Sequence, residues 1–235
     1  DSYDISSLKV FVSAAAPLGA ELSNACGART GAMTMQGYGM TELSPISHFS
    51  NEERAVAGAV GFTVPNTFCK IVDAGGQALG VDAEGELCIK GPQVMAGYWQ
   101  RPDETARCMT SDGYFKSGDI GIRDANGFFK IVDRKKDMIL VSGFNVYPND
   151  VEETVSLCPG VMECAAVGVP DEETGEAVKL VIVKKDPALT ESDVREFCRA
   201  NMTGYKQPKV IEFKTELPKT AVGKILRREL RDLPR

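Results

Sequence analysis

Lys224 stands behind a glycine in PKTAVGKILRREL, residues 218–230. A lysine on a Thr-, Pro- and Gly-rich approach can reach into a neighbouring site as a compact positive charge. There it can neutralise a carboxylate and a phosphate while an acyl phosphate bond forms. Upstream, QGYGMTE (residues 36–42) combines Gly37 and Gly39, which let backbone come close to a ligand, with Tyr38, Met40, Thr41 and Glu42. These parts suit stacking on a base, bonding a phosphate oxygen and holding Mg²⁺. Alone, the stretch also fits a strand-end turn with an exposed Thr-Glu pair.

Asp119 follows a glycine in YFKSGDIG (residues 114–121), where a carboxylate can accept both hydroxyls of a ribose. Arg134 comes fifteen residues later across an Asn-Gly turn, and a two-stranded return could bring both to one end of a sheet. The plainer alternative is a turn-capping aspartate and a weak surface ion pair. SGFNVYP (residues 142–148) offers Ser142, Gly143 and Phe144 as the surface of a narrow channel, or an ordinary strand-to-helix turn. His48 is the only histidine, so neither a His-based metal cluster nor a triad using a second histidine can be built. With no nucleophile-elbow sequence nearby, it is expected at the surface or in a loop.

The elements that must position these groups follow from pattern. LKVFVS (residues 8–13) predicts a strand, and a helical stretch opened by Pro17 is closed by Gly31. AMTMQGYGM (residues 32–40) returns to a short strand, so the start of the chain is α/β. From residue 59 to 132, short runs separated by Gly-Gly, Asp-Gly and Asn-Gly predict antiparallel strands, interrupted by a helix at RPDETARCM (residues 101–109). After the charged knot DRKKD (residues 133–137) come strand, helix, two strands and a helix with a T-x-x-D capping box at Thr190 and Asp193. These patterns place 1–58 as an α/β segment, 59–133 as a small β-barrel-like subdomain and 134–235 as a compact α+β domain, with a hinge at 133–136.

At 235 residues, 43% hydrophobic and 26% charged, the chain has globular composition, and no run of 18 apolar residues offers a membrane span. Seven scattered cysteines without a C-x-x-C pair argue against a disulfide framework or zinc site, and a reducing cytoplasm fits best. Residues 203–235 carry nine Lys and Arg against four Asp and Glu in a chain of net charge −6. Without aromatic interleaving or a nucleic-acid motif, KILRREL is expected as a solvated amphipathic helix and no nucleic acid as a partner.

Together, SAAAPL (residues 13–18), GYGMTE, GELCIKGPQVMAGYWQRPDET (residues 85–105), YFKSGDIG, FKIVDRKKDMILVSGFNVYPNDVEE (residues 129–153) and PKTAVGKILRREL resemble the AMP-forming adenylating superfamily of acyl-CoA synthetases. Within it, VDRKKDMILVSGFNVYPNDVE and ELPKTAVGKILRRELRD are most similar to bacterial long-chain fatty acid-CoA ligases. The resemblance implies a fatty acid, ATP and coenzyme A as substrates, Mg²⁺ as cofactor, an acyl-adenylate intermediate, and a small C-terminal domain that swings between two half-reactions. It also implies that these residues are the end of the large adenylate-forming domain followed by that mobile domain.

By the same resemblance Ala14, Ala15, Ala16 and Pro17 line the adenine pocket, with Gly37, Gly39 and Met40 in the nucleotide loop. Tyr38 stacks on the base, Thr41 contacts phosphate, Glu42 binds Mg²⁺, and Asp119 and Arg134 hold the ribose. Lys136 is the hinge, Ser142, Gly143 and Phe144 border the pantetheine channel, and Lys224 is the adenylation lysine, with Thr41 and Glu42 beside it in catalysis. Ala14 stands where relatives commonly have Gly. The family's Ser/Thr/Gly-rich phosphate loop has no counterpart here, so the expectation is a C-terminal portion that is inactive without the N-terminal remainder of its polypeptide. An adenylation domain serving a carrier protein and a non-catalytic nucleotide- or CoA-binding module are the competing readings. The resemblance leaves room for a homodimer and for peripheral contact with the inner face of a membrane.

Overall fold

Strand β1 (Val10–Ser13) grows from the apolar run after Leu8, and helix α1 (Ala20–Thr30) carries the chain back to β2 (Met33–Gly39), which pairs with β1 in parallel. Helix α1 stops at Gly31, whose φ of 71° is left-handed and whose N–H returns to the Gly27 carbonyl at 2.8 Å; an L side chain there would carry a steric penalty. The computed structural model describes residues 3–16, 18–51, 55–221 and 223–231 and falls into two units, Asp1–Val132 and Asp133–Arg235. Pro17 lies outside the described residues.

In the first unit β3 (Ile46–Phe49) and the two-residue β4 (Phe62–Thr63) complete a sheet of order β1-β2-β3-β4. A second sheet runs in chain order through β5 (Phe68–Val72), β6 (Gly85–Lys90), β7 (Phe115–Arg123) and β8 (Phe129–Arg134), with α2 (Pro102–Cys108) inserted before β7. It is an open four-stranded meander and does not close into a barrel. Its turns are made by aspartates: Asp73 accepts the N–H of Gly75 and Gln77, and Asp124 those of Asn126 and Phe128, all at 2.8–2.9 Å. Such side-chain bonds turn the chain locally. Leu43, Val60, Ile71, Leu87, Ile89, Phe115 and Phe129 form the core.

The second unit begins with the hairpin β9 (Ile139–Val141) and β10 (Phe144–Val146), followed by α3 (Pro148–Ser156). A long hairpin of β11 (Val161–Asp171) and β12 (Gly175–Lys184), helix α4 (Glu191–Asn201), strand β13 (Val210–Lys214) and the short α5 (Arg227–Arg231) complete it. The sheet order is β10-β9-β12-β11, with β13 parallel to β12. The capping box at the start of α4 forms in both directions between Thr190 and Asp193.

Strand β12 explains its own apolar run. Val178, Leu180 and Ile182 belong to the core that contains Val151 and Val155 of α3 and Val194 and Cys198 of α4. Val181 and Val183 join Ala165, Val167, Leu217 and Leu230 in a separate cluster on the alternate face. A strand buried on both faces has no reason to alternate apolar with polar residues. Lys179 is the exception on the second face: it is fully buried, donates to the Leu230 carbonyl at 3.0 Å and pairs with Glu212 at 2.8 Å.

The tail is amphipathic, as expected from KILRREL, with Arg228 and Glu229 exposed and Leu230 buried, but α5 spans only five residues and Arg227 is largely enclosed among carboxylates, because Leu217 and Leu230 cover the second face of the sheet. Among the described residues no helix is long and apolar enough to cross a membrane. All seven cysteines are free and none is fully exposed.

Candidate functional site

Since β1 and β2 are adjacent and parallel, with Ser13 opposite Gln36, their carboxyl ends meet at one edge of the sheet. That edge is where open α/β sheets bind ligands. Ala14, Ala15 and Ala16 leave β1 there, exposed, and Ala15 takes a φ of 71°, uncommon for any residue but glycine. Backbone strain of this sort persists where surrounding structure imposes it and clusters at ligand-contact loops.

At the end of β2 the glycines serve packing. A Cβ on Gly37 would meet the Phe49 ring at 3.0 Å, and one on Gly39 would run into the Pro45 carbonyl. Their first use is thus the close approach of β3 and its preceding turn. Met40 is half-buried, and Thr41, Glu42 and Leu43 then form a single 3₁₀ turn. Leu43, fully buried, anchors the turn, while Thr41 is exposed and Glu42 half-exposed. The Glu42 carbonyl accepts the Met95 N–H at 2.9 Å, and its Oε1 accepts the Tyr98 hydroxyl at 2.8 Å. That bond and burial push the Tyr98 phenol up to about 12.

Tyr38 donates its hydroxyl to Asp119 Oδ2 at 2.6 Å. The bond reaches from β2 to β7 and ties the two sheets of the first unit together. Ser117 supports it, its Oγ accepting the Asp119 N–H at 3.1 Å and donating to the Leu87 carbonyl at 2.7 Å. Burial, then the Asp119 charge, raise the Tyr38 phenol well above its ordinary range, so it remains a donor at any physiological pH. Asp119 itself is only 7% exposed.

Behind Tyr38 lies His48, and here the expectation of a surface residue is wrong. His48 is fully buried on β3, its ring 5.7 Å from Tyr38 and 4.6 Å from Phe129, with Nδ1 2.9 Å from Ser47 Oγ. Burial lowers its pKa to about 3, so the ring is neutral and serves as packing. Ser47 and His48 are both fully buried in β3, and the four residues ISHF are too few to reveal it.

The remaining residues singled out in the sequence lie in the second unit. Arg134 ends β8, and Lys136 is exposed in a short turn, Lys135–Asp137. Ser142 and Gly143 form the tip of the β9–β10 hairpin with φ values of 50° and 84°, both exposed. Phe144 next to them stacks on Tyr205 at 4.7 Å with an interplanar angle of 15°. Lys224 closes a tight loop: the Thr220 N–H donates to the Lys224 carbonyl at 2.8 Å, and the Lys224 N–H to Thr220 Oγ1 at 3.1 Å. Gly223, at φ 82°, makes that turn and has open space around it. The approach to the lysine is thus a bonded hairpin.

Three polar groups of these surroundings escaped the sequence reading. Tyr98 lies 56 residues from Glu42, and Asp133 and Asp137 of the charged knot turn inward toward Arg227. In sequence, alternating charges look like a solvated surface; only the fold distinguishes the two. Among the described residues no group of three or more His, Cys, Asp or Glu could hold a metal unaided. A divalent ion beside Glu42 would have one protein carboxylate and would need phosphate oxygens for the rest, the arrangement that suits Mg²⁺.

Two family models match in chain order, AMP-binding enzyme over residues 1–99 and AMP-binding enzyme C-terminal domain over residues 150–224. A long-chain-fatty-acid–CoA ligase of Salmonella typhimurium is 55% identical over 204 residues, covering 86% of this chain and 36% of that protein. One of Yersinia pestis is 48% identical over 230 residues, covering 97% and 41%. The ATP-bound crystal structure of MatB from Rhodopseudomonas palustris superposes with a TM-score of 0.91 at 34% identity, over 94% of this chain and 44% of that one. The chain spans less than half the length of each.

Proposed function

This chain belongs to the AMP-binding enzyme family, and from that premise we propose that it is the C-terminal portion of an ATP-dependent long-chain fatty acid-CoA ligase. The observation that carries the reading is the buried Asp119 carboxylate, held by the Tyr38 hydroxyl beside the edge where β1 and β2 end. A carboxylate held by a hydrogen-bond donor keeps its direction, which is what recognition of a ribose diol requires.

In this reading the fatty acid carboxylate attacks the α-phosphate of ATP and releases pyrophosphate, and the thiol of coenzyme A then displaces AMP. Ala14 to Ala16 border the adenine and the Tyr38 ring lies along the base, while Asp119 and Arg134 take the ribose. Thr41 donates to a phosphate oxygen. Glu42 fits Mg²⁺ by its hard oxygen donors and its Tyr98 support, and the ion would supply charge neutralisation on the phosphates. Lys224 approaches the carboxylate and α-phosphate, where a preorganised ammonium stabilises developing charge. Ser142, Gly143 and Phe144 border the path of the pantetheine arm, and Lys136 is the pivot. The phosphate cradle and most of the acyl tunnel belong to the N-terminal remainder, so the 235 residues alone are expected to be inactive.

The test is Lys224→Ala in the full-length polypeptide. Adenylate formation should fall about a hundredfold or more, while thioester formation from supplied acyl-adenylate should change less than about threefold. Equal loss in both half-reactions would remove Lys224 from the role given to it.

A further inference from the structure

Arg227 lies three residues beyond Lys224, on the first turn of α5, and its guanidinium faces four polar side chains, those of Glu152, Asn149, Asp133 and Asp137. Nη2 donates to Glu152 Oε2 at 2.6 Å and to Asn149 Oδ1 at 2.7 Å, and Nε donates to Glu152 Oε1 at 3.1 Å. Nη1 stands 3.8 Å from Asp133 Oδ1 and 3.9 Å from Asp137 Oδ2. Only 17% of the arginine side chain is exposed, and the Asp133 side chain only 1%.

These partners do not come from one place. Asn149 and Glu152 belong to α3, and Glu152 Oε1 also accepts the Ala166 N–H of β11 at 2.8 Å. Asp133 and Asp137 bracket Lys136, and Asp133 accepts the Arg134 N–H at 2.7 Å and the Asn149 N–H at 2.8 Å. Arg231, one turn along α5, donates to Asp137 Oδ1 at 2.9 Å. One guanidinium thus joins the lysine-bearing segment to α3 and to both sides of the 134–136 segment.

The lysine loop is fixed at its other foot too. Leu217 is buried in the same cluster as Leu230, Lys219 pairs with Glu163, and the Leu226 N–H donates to the Pro218 carbonyl at 2.8 Å. With both feet held and Lys224 three positions before Arg227, the lysine can stray from Arg227 by no more than about 10 Å of extended chain. Arg227 is suited to this as lysine is not, because its planar fork meets a carboxylate in two bonds at once.

We propose that Arg227 is a positioning residue for Lys224, setting the lysine's place relative to the segment that carries Arg134 and Lys136. The proposal rests on the ligase reading for its kinetic consequence, whereas its structural part stands without it.

The experiment compares Arg227→Gln with the parent in the full-length polypeptide, by amide hydrogen exchange and by the two half-reactions measured separately. Exchange over residues 219–226 should quicken about tenfold or more while β11 and β12 keep their protection. Adenylate formation should fall ten- to a hundredfold in kcat with KM for ATP within twofold, and thioester formation from supplied acyl-adenylate should stay within threefold. Unchanged exchange over 219–226, loosening of the entire second unit, or equal loss in both half-reactions would overturn it. Should Arg227→Gln fail to fold, Asp137→Asn removes only an outer partner; a three- to tenfold change in the same direction is expected, and no change refutes the proposal. A parent enzyme that forms no acyl-adenylate would sink the ligase reading, and the exchange comparison would then decide the positioning claim alone.

Discussion

His48 owes its neutrality to the Tyr38 and Phe129 rings packed around it, and a pKa depressed from 6.5 to about 3 has a thermodynamic consequence. As pH falls, the unfolded imidazole takes up its proton first. Stability from this group is therefore complete above about 6.5 and is lost progressively toward 3, at about 1.4 kcal/mol per pH unit. Because the chain has a single histidine, proton NMR can follow the ring without assignment ambiguity; it should not titrate between pH 8 and 5. A midpoint near 6.5 would mean an open site around Tyr38. Tyr38→Phe removes one hydroxyl and leaves the buried Asp119 short of a donor, so it should cost about 1.5–3 kcal/mol in urea unfolding. The same variant should weaken nucleotide binding only if Asp119 turns with the loss.

At the scale of elements, legibility followed the reach of the signal. Helix α4 was readable because Thr190 and Asp193 are three residues apart and bond each other, and β5 to β8 because Asp73 and Asp124 write their own turns. Strand β3 was missed, being four residues long with two polar members, ISHF. The strand β13, VIEFK, is flanked by lysines and takes its place from parallel pairing with β12, about 30 residues away. The Tyr38–Asp119 bond spans 81 residues, and no local pattern could announce it; the sequence reading joined Asp119 to Arg134 instead. The seat of α5 is non-local in the same way, since Leu230 has its apolar partners only once β11 and β12 are in place. Leu230→Ala should accordingly cost about 2–5 kcal/mol, the loss for a buried leucine that leaves a cavity. A change below about 0.5 kcal/mol would return α5 to the solvated helix expected from its charges.

For the molecule as a whole, two units each bring their own apolar core, Leu43 to Phe129 in one and Ile139 to Cys198 in the other. Each also holds its own thiols. Burial pushes Cys69 up to about 12 and Cys88 to about 11 in the first unit, Cys198 to about 11 in the second, and Cys164 higher still. Alkylating reagents attack the thiolate, so these sulfurs should react roughly a hundredfold more slowly than a free cysteine while the protein stays folded. The cysteines therefore act as two sets of built-in stopwatches. Timed iodoacetamide labelling read by mass spectrometry would record, in one tube and without any added dye, when each half of the chain opens. Simultaneous labelling of Cys88 and Cys198 would mean one cooperative event, and staggered labelling two.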